Sequence, residues 1–207
     1  CGIMSVNANN PFFEDFENIG ASDFPPICWN KFHYQMSGNT NSYWYLNSNN
    51  GLGSSAAYSY WNQGYGFLVM PKMHIDGNAI LSFDYLIGSG NYDENCAVVV
   101  STGEMTYDGF STTIWEGNGP TSGKASATVS LSIFNGQDIY IAFKYKGTEC
   151  SWYIDNVQVY VGETFTKDIA AYSGDGGYYL IASPTGEVNP ENVTNMLSNS
   201  YDLYRFN

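Results

Sequence analysis

Positive charge is scarce in this sequence: Lys and Arg together number 7 against 20 Asp and Glu, for a formal net charge of −13. Affinity for nucleic acid comes from Lys and Arg neutralising phosphates and releasing their counterions, so a phosphate backbone is repelled and nucleic acid is excluded as a partner. Long apolar runs are missing too. Stretches such as Cys96 to Val100 fall far below the roughly 20 residues that a membrane-spanning helix needs. Close cysteine pairs are also lacking: Cys1, Cys28, Cys96 and Cys150 lie far apart, which argues against a structural zinc site and leaves three fully paired connectivities. Cys96 and Cys150 each open an apolar strand, so a bridge between them and a pair of small buried hydrophobes are both open readings. No signal peptide is visible, but the chain does not begin with Met and reads as a mature or trimmed form. Cys1 would then suit a lipid-anchored mature protein.

Charged residues make up only 13% of the chain, against roughly 25% in an average domain. Their place is taken by Asn, Ser, Thr, Gly and aromatic residues, the last reaching 17% with 18 Tyr, 12 Phe and 5 Trp. Tyr and Thr pack well on a pleated surface, and Asn and Gly tolerate the positive φ of tight turns. An all-β, extracytoplasmic protein is the expectation. The 207 residues suffice for one substantial domain and part of a second.

Period-2 patterning predicts strands over 67–70, 79–87, 96–102, 127–134, 138–146 and 151–161. In the last of these Trp152, Ile154, Asn156, Gln158 and Tyr160 alternate with Tyr153, Asp155, Val157, Val159 and Val161, and Asp155 interrupts an apolar face. Turn clusters such as Asp76-Gly77-Asn78 and Asn135-Gly136-Gln137 separate the strands, which fits antiparallel connection and a β-sandwich. Near the start, Phe-Phe-Glu-Asp-Phe-Glu at 12–17 reads as a short strand with Asp15 and Glu17 on one face, a pair of carboxylates that asks for a cation. Beyond Val161 the pattern changes: two further strands and one short helix, opened by Asn189-Pro190-Glu191, suggest the start of a second β-rich domain or a packed extension. The expected division is therefore a domain over 10–162 and a C-terminal segment over 163–207.

Six motifs occur in order over residues 12–161: Phe-Phe-Glu-Asp-Phe-Glu-Asn from 12, Phe-Leu-Val-Met-Pro-Lys from 67, Gly-Asn-Ala-Ile-Leu-Ser-Phe-Asp-Tyr from 77, Asp-Glu-Asn-Cys-Ala-Val-Val-Val-Ser-Thr-Gly from 93, Ile-Tyr-Ile-Ala-Phe-Lys-Tyr from 139 and Trp-Tyr-Ile-Asp-Asn-Val-Gln-Val from 152. In this order they resemble the cleaved adhesin domains of gingipain and haemagglutinin-type bacterial surface proteins, which are related in architecture to MAM-type jelly rolls. The resemblance implies a jelly-roll β-sandwich of antiparallel strands on the outer surface of a bacterium. Its partners would be a host or extracellular matrix protein or glycan, together with other domains of a larger surface protein. It also implies structural calcium and no catalysis, because the family's protease is a separate domain. Better-known members carry Asp-rich loops after their first Trp, whereas here the stretch after Trp29 is rich in Tyr and Asn.

Calcium takes six to eight oxygen ligands, from carboxylates, carbonyls and water. In related jelly rolls a carboxylate of the opening strand meets the Asp of the closing strand, which makes Glu17 and Asp155, with Asp15 beside them, the implied metal ligands. The alternative is that these are solvated acids, or that Asp155 caps a backbone amide. For a ligand surface, Tyr43, Trp44, Tyr45 and Trp115 lie near polar loops, where exposed rings would stack on sugars; the alternative is that each packs its loop onto the sandwich. Phe83, Tyr85, Phe143 and Trp152 lie within strong strands and read as core. Neither His33 nor His74 neighbours a nucleophile motif, and a glycosidase would need two of Asp84, Glu94, Glu104 and Glu116 brought together. The expectation is a non-catalytic adhesin-type binding domain. A carbohydrate-binding module of a secreted hydrolase and a structural spacer are the competing readings.

Overall fold

The computed structural model describes residues 1–34, 44–48, 52–59, 64–88, 96–117, 120–146 and 151–162. Its strands in chain order are β1 (Met4–Val6), β2 (Phe12–Glu14), β3 (Asn30–Tyr34), β4 (Trp44–Asn47), β5 (Ser55–Ser59), β6 (Tyr65–Val69), β7 (Met73–Ile75), β8 (Ala79–Ile87), β9 (Cys96–Ser101), β10 (Thr112–Glu116), β11 (Ala125–Ser130), β12 (Asp138–Lys146) and β13 (Ser151–Val161). Two sheets form. In the seven-stranded sheet, β12 is the axis: β9 and then β10 lie on one side, and β6 and β7, carrying β3 and β1, lie end to end on the other. In the six-stranded sheet the axis is β13, flanked by β8 and β11 on one side and by β2 and β5, the latter carrying β4, on the other. All pairings are antiparallel except β1 with β7. This is the all-β jelly-roll sandwich expected from the patterning and the resemblance.

The core lies between the sheets because alternate residues of the two axial strands point inward. Ile139, Ile141, Phe143 and Tyr145 of β12 face Trp152, Ile154, Val157 and Val159 of β13, all fully buried in one cluster. Phe143 and Trp152 meet edge to face with centroids 5.8 Å apart, and Trp115 stacks on Trp152 at 6.0 Å.

Two expected strands are shorter than their patterns. The segment read as 127–134 ends as a strand at Ser130, where the Leu131 N–H turns to the Ala79 carbonyl (2.8 Å) and a 3-10 turn over Ser132–Phe134 follows. The segment read as 12–17 ends at Glu14, because Phe16 takes φ +56 and buries its ring completely. There it meets Trp29 edge-on at 5.5 Å.

Cys1 and Cys28 are joined by a disulfide that closes a separation of 27 residues and ties the first segment to the approach to β3. That bond occupies the Cys1 sulfur which a lipid thioether would need. Cys96 is buried at the start of β9, and its possible pairing with Cys150 lies outside the described residues, as do Tyr43, Glu94 and the whole segment expected over 163–207. Among the described residues no helix is long and apolar enough to cross a membrane.

Candidate functional site

The first site arises from a change of partner. Along one edge β13 pairs with β5 as far as Ile154 and with β2 from Val157, leaving Asp155 and Asn156 between them. Along the other edge the register to β8 shifts between Asp155 and Gln158. Asn156 absorbs the extra residue at φ +49, a left-handed conformation that Asn tolerates better than most side chains. Its backbone N–H donates to Asp155 Oδ1 (2.7 Å). Its amide donates to Asp84 Oδ2 (2.8 Å) on the facing strand and, at 3.4 Å, to Asp155 Oδ2.

Asp155 is thereby only 2% exposed. Burial pushes its carboxyl up to about 6, against the pull of the Asn156 N–H, and the charges of Glu17 and Asp84 add to the rise while Lys124 opposes it. Asp84 behaves in the opposite way. Burial would raise it, but hydrogen bonds from Lys124 (2.6 Å), Ser126 (2.6 Å) and Asn156 outweigh that and hold it below its usual range.

Glu17 reaches the same junction from the exposed side, fixed by the turn that precedes β5. The Ser54 N–H donates to Glu17 Oε1 (2.9 Å). Gly53, at φ +91, passes so close that a Cβ there would lie 2.5 Å from the same oxygen.

Of the three sequence-predicted metal ligands, Glu17 lies near enough for its charge to raise the Asp155 carboxyl, whereas Asp15 does not share a strand face with Glu17. Its Oδ1 accepts the Glu17 backbone N–H (3.1 Å) while Glu14 Oε1 accepts that of Phe16 (2.8 Å), so the two carboxylates close the turn that Phe16 makes by entering the core. The expectation that Asp15 and Glu17 lie on one strand face is corrected on that ground. Burial holds the Glu14 carboxyl above its usual range, against the Phe16 N–H, and the neighbouring charge of Asp15 adds to the rise. Among the described residues no three His, Cys, Asp or Glu side chains converge closely enough to hold a metal by themselves. A cation between Glu17 and Asp155 would fit the donor chemistry, with carbonyls and water completing its shell.

The predicted ligand-binding aromatics separate by burial. Trp44 is 1% exposed and lies edge-on to Trp152 at 5.6 Å. Because β4 pairs with β5 at the sheet edge, its first residue turns inward, and a ring so enclosed has no face for a sugar; the packing alternative holds for Trp44. Trp115 is half-buried and packs against the core through Phe83 (5.1 Å) and Tyr85 (5.0 Å). Tyr45 is half-buried on β4.

A second aromatic surface escapes the sequence reading. The outward side of the seven-stranded sheet carries its own apolar cluster of Phe67, Val69, Val99, Phe110 and Ala142, covered in part by the segment between β9 and β10. Phe32 stacks on Phe67 at 4.6 Å, almost parallel. Around this floor stand partly buried tyrosines: Tyr107 stacks on Tyr34 at 3.9 Å and lies 5.1 Å from Tyr65. The hydrogen bond between Tyr107 and Tyr65 is the main cause that raises the Tyr107 phenol above its ordinary value, with burial second. Lys144 lies over Tyr65 (4.9 Å) and Tyr107 (5.7 Å), and Lys72 over Tyr140 (5.4 Å). The available signal was that 65–69 and 140–142 are apolar or aromatic on both strand faces, a pattern that demands cover on the outside as well as the inside.

At the β1–β7 edge, His74 Nδ1 contacts Asp138 Oδ1 (2.6 Å) and its Nε2 lies 3.5 Å from Asp76. The Ser5 hydroxyl donates to Asp76 (3.4 Å). This is an electrostatic clasp rather than a nucleophile with its base.

The paired sheets and their two axial strands define a jelly-roll β-sandwich. Its fold is that of the cleaved adhesin domains of Lys-gingipain. The K1 domain from Porphyromonas gingivalis W83 is 17% identical and superposes with a TM-score of 0.57, covering 74% of this chain and 99% of that one. For the K2 domain the values are 19%, 0.56, 72% and 99%, and for the K3 domain from the same strain as K1 they are 16%, 0.55, 72% and 98%. No protein-family profile matches the sequence. No curated protein matches it either.

Proposed function

We propose that this chain is a non-catalytic binding domain of the adhesin type, displayed outside a bacterial cell, which recognises a host or matrix protein or a glycan. The observation that carries the reading is the outward face of the seven-stranded sheet, where Tyr34, Tyr65, Tyr107 and Tyr140 surround a second apolar cluster and two lysines overlie three of the rings. Partly buried aromatic rings on a rigid sheet offer large contact area at low entropic cost, which is the chemistry of recognition. The sandwich shared with the cleaved adhesin domains supports the same reading. Probing arrays of matrix proteins and glycans with the 207-residue chain tests it, alongside a turnover screen on aryl glycosides, esters and peptides. Retention without turnover is the expected result. Turnover abolished by a single carboxylate substitution would overturn it.

The proposal includes a structural calcium ion held by Glu17 and Asp155. Burial, with the charge of Glu17 adding to it, raises the Asp155 carboxyl, and a divalent cation would offset both. Lys124 already serves Asp84, which leaves the Glu17–Asp155 pair as the place where such an ion is needed. Melting in calcium and in chelator tests this: a higher midpoint with calcium is expected, and an unchanged midpoint would remove the ion from the account.

A further inference from the structure

β1 is three residues long and forms the edge of the seven-stranded sheet, where it runs parallel to β7. Two backbone bonds flank that pairing: the Met4 N–H donates to the Lys72 carbonyl (2.9 Å), and the Asp76 N–H donates to the Val6 carbonyl (3.2 Å). Val6 is buried in the core. The chain is tethered on both sides of the strand, by the Cys1–Cys28 disulfide before it and by the pairing of β2 with β13 after it. Between these tethers β1 is a strap that can lift without leaving the molecule.

A row of polar side chains crosses the strap. Ser5, His74 and Asp138 are in register on β1, β7 and β12, and Asp76 follows His74 by the two-residue step that keeps it on the same side. His74 meets Asp138 through Nδ1 (2.6 Å) and faces Asp76 through Nε2 (3.5 Å), while the Ser5 hydroxyl donates to Asp76 (3.4 Å). Asp76 thus holds the strap twice, by its N–H on Val6 and by its carboxylate on Ser5, and His74 supplies the charge that holds Asp76. Lys72, two residues before His74, lies over the Tyr140 ring instead (5.4 Å).

We propose that β1 is a pH-sensitive strap, latched while His74 carries protons on both ring nitrogens and loosened when Nε2 gives its proton up. The asymmetry of the ring decides which contact fails. Asp138 accepts at Nδ1 and keeps a proton there, so the neutral ring turns the lone pair of Nε2 towards the Asp76 carboxylate. Attraction becomes repulsion between two acceptors. The Asp76 carboxylate, half-exposed, then turns to water, Ser5 loses its acceptor, and β1 keeps only its edge pairing and Val6. Two carboxylates facing the ring hold His74 above its ordinary value, the Asp138 hydrogen bond first among the causes. The latch is therefore fully engaged below the value His74 has with the strap lifted, and is lost as pH rises through the latched value. Because Asp138 stays in place when the strap lifts, only the Asp76 share drives the latch, and the effect is severalfold rather than complete. A lifted strap leaves β7 as an unpaired edge open to an added strand.

The test is amide hydrogen exchange on the 207-residue chain at about pH 5.5 and about pH 8.5, on either side of the His74 titration. Rates are corrected for the intrinsic pH dependence of exchange and read relative to the amides of the β9–β12 pairing, so that a change in global stability cancels. Protection of the Met4 and Asp76 amides is expected to fall severalfold at the higher pH, by less than about tenfold. His74→Gln, which cannot take up the proton, is expected to show the weaker protection at both pH values. Ser5→Ala leaves the ring intact and cuts its link to the strap, so it keeps the test in hand if His74→Gln disturbs the sheet edge; it is expected to narrow the pH difference while the His74 ring still titrates above 6.5 by NMR. Equal strap protection at both pH values would overturn the proposal. So would protection that grows as pH rises, or a pH difference that neither variant narrows.

Discussion

Asp84 and Asp155 stand in register across the β8–β13 pairing, yet their environments drive them in opposite directions. Asp84, bonded by Lys124, Ser126 and Asn156, lies below its usual range; Asp155, buried and facing Glu17, is pushed up to about 6. One strand irregularity produces both states.

Because folded Asp155 takes up a proton more readily than the unfolded chain does, its contribution to stability is most favourable below its ordinary value of 3.8 and is lost as pH rises towards 6. In chelator at neutral pH, Asp155→Asn is therefore expected to stabilise the fold, by up to about 2–3 kcal/mol, and to flatten the pH profile between the two values. In calcium the same variant is expected to lose the ion's stabilisation and melt lower than the wild type. Urea titrations across pH, with and without calcium, measure both arms. Destabilisation in chelator would show that the Asn156 N–H favours the charged form more than burial opposes it.

At the other edge of the sandwich the pH dependence has the same sign but the opposite cause, because there the charged form is favoured. His74 is raised above 6.5, first by its hydrogen bond to Asp138 and then by the charges of Asp76 and Asp138, which together outweigh its desolvation. Its contribution is fully present below 6.5 and fades as pH rises through the higher folded value. Titrating the His74 ring by NMR should show that raised midpoint, and Asp138→Asn should return it towards 6.5. An unmoved midpoint would mean that the clasp does not persist in solution.

Trp44→Ala should cost about 3–5 kcal/mol in unfolding free energy, because it empties a large site against Trp152. Tyr45→Ala, on the neighbouring half-buried position, should cost substantially less. Equal small losses for both would place Trp44 on the surface after all.

Gly53→Ala combines an unfavourable φ with a Cβ only 2.5 Å from Glu17 Oε1. A loss of about 1–2 kcal/mol is expected from the strain. The displaced Glu17 should also diminish the midpoint gained from calcium, read by calorimetry. A tolerated substitution with the calcium effect intact would separate Glu17 from the ion.

Much of the sandwich is legible because β12 alternates cleanly, whereas β13 changes phase at Asp155–Asn156, so that Trp152 and Ile154 before the shift and Val157 and Val159 after it all enter the core. In 151–161 the buried Trp152 and Ile154 mark the inward face, and even the misfit Asp155 marks where pairing changes. Local pattern fails where a single side chain overrides it. Phe16 enters the core and bends the chain, so Asp15 and Glu17 part although their spacing fits one strand face. Trp44 sits beside polar loops, yet its pairing with the next strand, β5, turns it inward. The outward aromatic face depends on register among β3, β6, β9 and β12. Pairings that join residues so far apart in sequence leave no local trace of which tyrosines will meet.

The most direct measurement is an NMR footprint on isotope-labelled protein, taken with whichever array member it retains most tightly. Shifts centred on Tyr65, Tyr107 and Lys144, with the outer face of the six-stranded sheet unmoved, are expected. Shifts confined to that other face, or release of a chemically altered ligand, would contradict the reading of this sandwich as a binding domain that works through its second aromatic surface.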